Sequence, residues 1–534
     1  MVIFSVGWPG FDPPDPPMPG IGYNPPVDKR DDIPFAKVIA TVGPATREVE
    51  MLTRLIDEGV RVFRINFSHG NLDQFDQTLE NIRAAAAAQR CSIGVLGDLS
   101  GPKIRLGRIA GDGLELHPGD RIELLARSIE AADAAPDFDG IRTFRISTNY
   151  PKMIGEVEPG HRLLIDDGNV RLLAVERHGN GPSARLACRV TTGGHITTAK
   201  GLNLPDTQLQ GLSAMTDWDR QCLAWAMEVE LDYLALSFVR RAEDVLELKR
   251  ELVRHAGEQR GRTPVIAKIE KPQALGELTR ITEVADGIMV ARGDLGVEMD
   301  LAEVPVAQKR IIAAAHDLGK PVIVATQMLQ SMIENPHPTR AEVSDVANAI
   351  FDGADAVMLS GETAIGHYPV QTVQMMSRIA RTTQPHLSGT LGGQPLRSSF
   401  IHESRYRTAA LARGVSAIVR ELGAKMVVTW SQLGGSARYL SKSRLMVPVI
   451  AASSNPAALR RTTLLFAVQP VELPQPANVD AFLEQVDELV IARGWAGQGD
   501  PIVILAGDPI GTPGVTNRIH IHYVGDACRL GDGR

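Results

Sequence analysis

The sequence predicts an α/β protein made of a (β/α)8 TIM barrel, an inserted small antiparallel β-barrel lid domain and a C-terminal open α/β domain. Three observations lead to this prediction. Eight short apolar segments alternate with amphipathic helical segments. The alternation is interrupted once, between residues 107 and 206. A second alternation of helices and strands follows residue 385.

The eight apolar segments are the predicted barrel strands. Continuous apolar runs of this length are typical of parallel strands that are buried on both faces. Helical spacing follows most of them, for example at residues 48–58, 72–89, 242–255 and 303–318. Eight strand–helix units predict a (β/α)8 barrel, which we assign to residues 35–106 and 207–385. The strands are predicted at residues 38–42, 62–66, 92–98, 232–238, 264–270, 287–292, 321–326 and 356–360.

The interruption at residues 107–206 alternates apolar and polar residues, with recurring turn signals such as Asp167-Gly168-Asn169. This pattern predicts a small antiparallel β domain inserted after the third barrel strand. Such an insertion on the loop face of a barrel can close over the site and exclude water from it.

The two ends of the chain differ in character. Residues 1–34 are rich in proline and glycine, which predicts a disordered tail. Residues 386–534 alternate helices with strands and predict an open α/β domain, with a possible role in effector binding or oligomerisation.

Composition excludes several classes of protein. The chain has 534 residues and a net charge of -7, with no long basic run, which argues against nucleic-acid binding. Its four cysteines lie far apart and form neither a zinc motif nor a disulfide framework, so we expect a reducing, cytoplasmic location. No apolar stretch is long enough to span a membrane.

Polar or charged residues stand at the end of every predicted barrel strand. In (β/α)8 barrels the chemistry lies at this end of the strands, so a complete ring of such residues favours an active site over eight ordinary loop entries. Two carboxylates among them suit Mg²⁺, and a lysine suits a phosphoryl group. A structural ion pair remains the alternative for each segment alone. The ring consists of Thr41, Arg64 with Asn66 and Ser68, Asp98, Ser237, Lys268 with Glu270, Arg292 with Asp294, Thr326, and Ser360 with Glu362.

Nine motifs, in this order and spacing, resemble the pyruvate kinase family from Lys37 to near the C-terminus. They lie at residues 40–46, 64–70, 98–105, 200–205, 236–239, 268–270, 291–296, 325–329 and 358–364. The resemblance implies phosphoryl transfer from phosphoenolpyruvate to ADP, which gives pyruvate and ATP in the last step of glycolysis. It also implies a homotetramer.

The resemblance implies a role for each matching residue on the substrate side. Glu270 and Asp294 match the ligands of Mg²⁺ or Mn²⁺. Lys268 matches the lysine that stabilises the transferring phosphoryl group and the enolate, and Arg64 matches the arginine that binds the substrate phosphate. The backbone N–H groups of Gly293 and Asp294 would meet the substrate carboxylate.

Protonation and nucleotide binding involve further matching positions. Thr326 lies where the enolate must be protonated, and because a hydroxyl cannot be the ultimate acid, we expect a relay through Ser360, Glu362 or water. The residues that match the nucleotide side are Asn66, His69, Arg105 and Lys200, the last of which comes from the lid.

The sequence departs from the family at the monovalent-cation site. Many members need K⁺, which is held by groups that match Asn66, Ser68, Asp98 and Leu99. Leu99 replaces a threonine of those members, and Lys103 replaces a glutamate. We therefore expect the ammonium of Lys103 to supply the cation, so that K⁺ is not required.

Other departures affect the surroundings of the site. Lys271 replaces the usual asparagine after the Lys-Ile-Glu motif, and Ile365 replaces a common lysine; we expect altered ion pairs or affinity with turnover retained. The loops at residues 429–436 and 507–514 match the family's effector loops. A sugar phosphate or a nucleotide is a possible effector, and the sequence leaves open whether one binds.

Two alternative functions remain open at the level of sequence. One is another phosphoenolpyruvate or keto-acid barrel enzyme in which Lys268 forms a Schiff base, which requires a neutral lysine. The neighbouring Glu270 disfavours this because a carboxylate stabilises the ammonium. The other is a catalytically silent paralogue that only binds effectors, although no metal ligand is lost.

The replacement of K⁺ by Lys103 predicts activity that does not depend on potassium. Turnover in sodium or tetramethylammonium buffer free of K⁺ and NH₄⁺ should equal turnover in potassium buffer. A loss greater than about tenfold, or ~1.4 kcal/mol in activation free energy, would contradict it.

Overall fold

The computed structural model describes residues 34–132, 140–209, 211–260, 263–389, 403–512 and 514–526. The predicted disordered tail falls, except for Pro34, outside the described residues.

Eight parallel strands close into a barrel, which confirms the predicted fold class. We number them β1 to β8 along the chain, and each pairs with its sequence neighbours until β8 closes on β1. The strands are β1 (Lys37–Thr41), β2 (Val60–Asn66), β3 (Gly94–Leu99), β4 (Tyr233–Leu236), β5 (Val265–Ile269), β6 (Gly287–Ala291), β7 (Val322–Ala325) and β8 (Ala356–Leu359).

Amphipathic helices surround the barrel and bury their apolar faces against it. Several begin at well-formed caps: Asn71 and Gln74 form a capping box at the start of Leu72–Ala88, as do Thr339 and Glu342 at Arg340–Phe351. The helices of this layer are Val49–Asp57, Leu72–Ala88, Asp217–Glu228, Ala242–Arg260, Pro272–Gly276, Leu278–Val284, Arg292–Glu298, Val304–Asp317, Arg340–Phe351, Gly361–Ala364 and Pro369–Thr383.

The insertion after β3 is a small β domain with its own apolar core. Its largest sheet has six strands, in the order Leu202–Asn203, Arg162–Ile165, Val170–His178, Arg185–Thr192, Arg121–Leu125 and Thr143–Ser147. The first five strands pair antiparallel as predicted, but the last pair runs parallel, so the sheet is mixed. Alternating burial along a strand is the same for either direction of its neighbour, which is why the pattern missed this pairing. The shorter strands are Arg108–Ile109, Leu114–Leu116, Glu130–Ala131 and Gly194–Ile196.

The C-terminal region is an open α/β sheet of five strands. The order is Val468–Glu472, Val449–Ser453, Val427–Trp430, Pro501–Ala506 and Arg518–Tyr523, with only the last strand antiparallel. Its helices are Glu403–Leu422, Gly435–Lys442, Pro456–Arg460 and Val479–Ala492.

Two aspartates at the N-terminal ends of barrel strands bind cations from the C-terminal domain. Asp232, just before β4, accepts from Arg460 Nε at 2.7 Å. Asp355, just before β8, is fully buried and binds Lys442 and Arg444. Burial alone would raise the pKa of Asp355, but Lys442 and Arg444 outweigh it and hold that pKa below its usual value. The carboxylate therefore stays ionised and ties the two domains together.

Lys442→Met should destabilise the protein, because it removes one cation and leaves the buried Asp355 charge only partly compensated. The expected loss is about 3–5 kcal/mol, measured by chemical denaturation and by the thermal midpoint. The control is Arg280→Ala, which breaks an exposed ion pair with Glu277 and should cost less than about 0.5 kcal/mol. Equal stability of Lys442→Met and the wild type would show that this pair does not hold the domains.

Candidate active site

A cleft of about 600 Å³ opens at the C-terminal ends of the barrel strands and faces the lid. It brings together residues from β2, from the segment that leads into the lid, from the end of β5 and from the helix after β6. Of the predicted site residues, Arg64, Asn66, Ser68, Lys103, Arg105, Lys268, Glu270 and Asp294 line it.

Lys268 is the centre of the charged cluster in this cleft. Its ammonium nitrogen lies 2.7 Å from Ser237 Oγ, 3.2 Å from Asp98 Oδ1 and 3.0 Å from Glu270 Oε1. Burial alone would lower the pKa of Lys268, but the charges of Asp98 and Glu270 outweigh it and raise that pKa. The lysine is therefore held as an ammonium, which does not suit a Schiff-base nucleophile.

Asp98 joins Lys268 to Arg64 beneath the cleft. Arg64 donates from Nε to Asp98 Oδ2 at 2.7 Å, and its Nη1 lies 3.1 Å from Thr41 Oγ1. Burial would raise the pKa of Asp98, but Lys268 and Arg64 together lower it. Because Asn66 and Asp98 are paired in the sheet, as are Thr41 and Arg64, strand register itself sets these contacts.

Glu270 is fully buried, and its carboxylate is fixed from two sides. Oε1 faces Lys268, while Oε2 accepts the N–H of Phe238 at 2.6 Å. Burial raises the pKa of Glu270; Lys268 opposes this rise and the charge of Asp294 adds to it. A carboxylate whose charge is disfavoured by burial and by a second carboxylate can be stabilised by a cation between them.

Glu270 and Asp294 could hold a divalent ion, and their chemistry fits Mg²⁺ or Mn²⁺. No group of three or more His, Cys, Asp or Glu residues in the described part of the chain forms a complete protein cage for a metal. Mg²⁺ is usually held by one or two carboxylates, with water and substrate phosphate in the other positions. Two carboxylates on one cleft wall match that mode.

Thr326 has a strained backbone next to Gly293. It has φ +68°, which is unusual for a β-branched residue, and Gln327 follows at φ +54°. Arg292 binds both of their carbonyls at 2.9 and 3.1 Å and is itself anchored by Asp345 at 2.8 Å. Thr326 Oγ1 accepts the N–H of Gly293 at 2.8 Å, so in this structure that N–H is already engaged.

Of the two side chains predicted to relay a proton, Glu362 has hydrogen-bond donors and Ser360 has no partner among the described residues. Glu362 is fully buried, and its two oxygens accept the backbone N–H groups of Ser360 and Leu329, at 2.7 and 3.2 Å. Ser360 Oγ is buried and has no hydrogen-bond partner among the described residues. Both oxygens of Glu362 thus have backbone donors, whereas the Ser360 hydroxyl has no partner among the described residues.

The predicted nucleotide residues are only partly assembled. Asn66 and Arg105 line the cleft, whereas His69 is exposed outside it. Lys200 lies within the lid and binds Asp166 Oδ1 at 2.7 Å. Arg105 donates to the carbonyl of Ala199 at 2.9 Å, which links the cleft wall to the residue before Lys200.

The predicted monovalent-cation positions lie around the same cleft. Asn66, Ser68 and Lys103 line it, while Leu99 is fully buried at the end of β3. The Lys103 ammonium lies 3.9 Å from Asp167 Oδ1 at the edge of the lid, a distance that leaves it only loosely paired.

Sequence reasoning assigned no role to three groups that position the site. Ser237 accepts from Lys268, the Phe238 N–H holds Glu270, and Arg292 holds the Thr326 loop. Ser237 and Arg292 stood among the polar strand ends, so their positions were a signal. The Phe238 contact uses a backbone at φ +55°, which no sequence pattern indicated.

No helix in the described parts of the chain is both long enough and apolar enough to cross a membrane.

Comparisons with known proteins agree over nearly the whole chain. The family model "Pyruvate kinase, barrel domain" matches residues 33–373, and "Pyruvate kinase, alpha/beta domain" matches residues 409–522. Pyruvate kinase of Methylorubrum extorquens is 40% identical over 488 residues, which cover 91% of this chain and 97% of that protein. The Mycobacterium tuberculosis enzyme is 39% identical over 490 residues, with 92% and 98% coverage. The crystal structure of a pyruvate kinase from Cryptosporidium parvum superposes with a TM-score of 0.83 at 31% identity, over 94% of this chain and 98% of that one.

Proposed function

This chain belongs to the pyruvate kinase family, and we propose that the cleft around Lys268 transfers the phosphoryl group of phosphoenolpyruvate to ADP, producing pyruvate and ATP. The observation that carries the proposal is the arrangement of charges in that cleft. A buried ammonium and a buried guanidinium share one carboxylate, and two further carboxylates line the same wall. Phosphoryl transfer depends mainly on such positioning and charge neutralisation.

Arg64 and Lys268 act on the phosphoryl group. Asp98 orients both cations, so they can bind a dianionic phosphate without having been buried unpaired before it arrives. Lys268 neutralises charge on the transferring group and on the enolate oxygen that forms as the phosphoryl group leaves. Arg64 holds the phosphate before transfer.

Glu270 and Asp294 hold the divalent ion, Mg²⁺ or Mn²⁺. When bound there, such an ion would supply positive charge that offsets negative charge on the substrate. The chain orients Glu270 through the Phe238 N–H and Lys268, so this carboxylate is fixed before ligands arrive.

Gly293, in the helix after β6, binds the substrate carboxylate, and Thr326, which follows β7, faces the carbon that is protonated. The Gly293 N–H must leave Thr326 Oγ1 to bind the carboxylate. The Thr326 hydroxyl must also leave the carbonyl of Ala325, to which it donates at 2.6 Å. That hydroxyl then passes a proton to the enolate carbon, with Ser360 or water as the proton source.

Asn66, His69, Arg105 and Lys200 bind ADP on the lid side of the cleft. Lys200 must exchange its bond to Asp166 for the nucleotide phosphates, a movement that lid closure would provide. The ammonium of Lys103 serves in place of K⁺, supported by its place in the same cleft as Asn66 and Ser68. From the resemblance to the family we also propose a cytoplasmic location and a homotetrameric assembly.

The C-terminal domain binds a phosphorylated effector, either a sugar phosphate or a nucleotide. A second cavity of about 960 Å³ lies between this domain and the barrel and is lined by the loops at residues 430–436 and 507–516. Trp430 Nε1 and Ser431 Oγ are buried there without hydrogen-bond partners among the described residues. Glycine amides at the start of the helix Gly435–Lys442 can bind phosphate.

We expect sugar phosphates or AMP to lower the half-saturating concentration of phosphoenolpyruvate, and Gly435→Asp to abolish this effect because its carboxylate repels phosphate. An added Cβ at Gly435 meets no atom within 4 Å, so both this variant and the control Gly435→Ala fit the loop. The control should respond like the wild type. A half-saturation that no effector changes would refute regulation at this site.

Lys268→Met should reduce turnover by about 100-fold or more, because it removes a buried cation that acts on the transferring group. Pyruvate formation from phosphoenolpyruvate and ADP, with and without Mg²⁺, measures the effect in a coupled assay. Lys309→Met is the matched control, since Lys309 lies on an outer helix and is mostly exposed. Equal turnover in Lys268→Met and the wild type would exclude this role, and an inactive wild type would exclude the proposed function.

A further inference from the structure

A buried ionic cluster joins the lid to the wall that carries Glu270 and Asp294. Glu298 ends the helix Arg292–Glu298, and its Oε1 accepts Asn203 Nδ2 at 2.7 Å. The Lys271 ammonium donates to the same oxygen. Asn203 belongs to the lid strand Leu202–Asn203, so three separate parts of the chain meet at one carboxylate.

Glu298 depends on Lys271 for its charge balance. Its side chain is 0% exposed and that of Lys271 is 12% exposed, so water compensates little. A carboxylate in the last turn of a helix is also disfavoured by the helix dipole. In the described part of the chain, Arg162 of the lid is a second cation near Glu298, but it binds Asp206 with two nitrogens, at 2.7 and 2.9 Å. Lys271 is therefore the cation on which this buried carboxylate relies.

The cluster is connected along the backbone to both proposed metal ligands, Glu270 and Asp294. Glu298 follows Asp294 by four residues on one helix, so the two carboxylates lie on the same face one turn apart. Lys271 follows Glu270 in the chain. Its ammonium lies 5.7 Å from the centre of the Phe238 ring, and the Phe238 N–H binds Glu270 Oε2.

We propose that Lys271 is a positioning residue. By neutralising Glu298 it fixes the orientation of the helix that carries Asp294 relative to Glu270. The hydrogen bond between Glu298 and Asn203 couples that orientation to the lid. The proposal rests on the proposed function for the identity of the metal ligands. It also gives a physical meaning to the lysine that stands where the family usually has asparagine. Gln273 makes a second contact with the lid, because its Nε2 donates to the carbonyl of Pro205 at 2.7 Å.

The lid side of the cluster is near the nucleotide residues. Asn203 lies three residues after Lys200, and Arg105 and Gly201 form a β-bridge next to it. The hydrogen bond of Asn203 therefore ties the lid segment that carries Lys200 to the helix that carries Asp294. Loss of this hydrogen bond should affect ADP more than the metal.

The direct test is Mn²⁺ binding, measured by the electron paramagnetic resonance signal of free Mn²⁺ and therefore independent of turnover. Lys271→Met should raise the dissociation constant of Mn²⁺ about tenfold, the usual effect of losing a group that orients a metal ligand. Lys271→Arg, which keeps the cation, should stay within about threefold of the wild type. Lys309→Met is the control for loss of a lysine elsewhere and should bind Mn²⁺ like the wild type.

A double-mutant cycle separates neutralisation from simple loss of packing. Glu298→Gln removes the buried charge, so Lys271→Met in that background should change Mn²⁺ affinity by less than about threefold. The double variant carries no unpaired buried charge and should fold even if Lys271→Met alone does not. If Lys271→Met does not fold by itself, Lys271→Gln is measured in its place. An unchanged affinity in Lys271→Met or Lys271→Gln, or a double variant as weak as the single one, would overturn the proposal.

The lid contact is tested separately by Asn203→Ala, which leaves the Lys271–Glu298 pair in place. KM for ADP should rise about fivefold, as expected for one lost hydrogen bond, while kcat and Mn²⁺ affinity stay near the wild type. An unchanged KM for ADP would overturn the coupling to the lid. Absence of turnover in the wild type would refute the proposed function instead, and the Mn²⁺ measurements would still report on the cluster.

Discussion

The site depends on one constraint, the burial of Lys268 as a charged ammonium at the end of β5. A buried cation is tolerated only when oxygens surround it, and here Asp98, Ser237 and Glu270 supply them from β3, the β4 end and β5 itself. Asp98 also binds Arg64 of β2. Four neighbouring strand ends are thus tied into one network, which positions the cations before any substrate binds.

The two ends of the barrel use buried charge for different purposes. At the N-terminal end, Asp232 binds Arg460, and Asp355 binds Lys442 and Arg444, all three cations from the C-terminal domain. At the C-terminal end the carboxylates of Glu270 and Asp294 exceed the cations beside them. Carboxylates that are paired with cations hold the domains together, whereas a carboxylate without a matching cation can bind a ligand.

Backbone strain occurs at two points where the site needs unusual directions. Phe238 and Thr326 both have positive φ, and each turns a polar group toward a neighbouring loop: the Phe238 N–H to Glu270 and the Thr326 hydroxyl to Gly293. Arg292 stabilises the second of these loops by binding its carbonyls. Such conformations persist because surrounding contacts outweigh their cost. Lys271 and Glu298 add a further support between this wall and the lid.

By itself the sequence determined the barrel, the inserted domain and the ring of polar strand ends, because strand burial and helical periodicity are local patterns that survive in any register. It also marked Lys268, Glu270 and Asp294 through their spacing along two adjacent strands. Only the tertiary structure decided which groups meet: that Ser237 and Asp98 hold Lys268, that Lys200 binds Asp166 within the lid, and that Lys271 reaches Glu298. These contacts join residues that are far apart in sequence. The direction in which each side chain points depends on how the strands and loops pack, and no local sequence pattern encodes that packing.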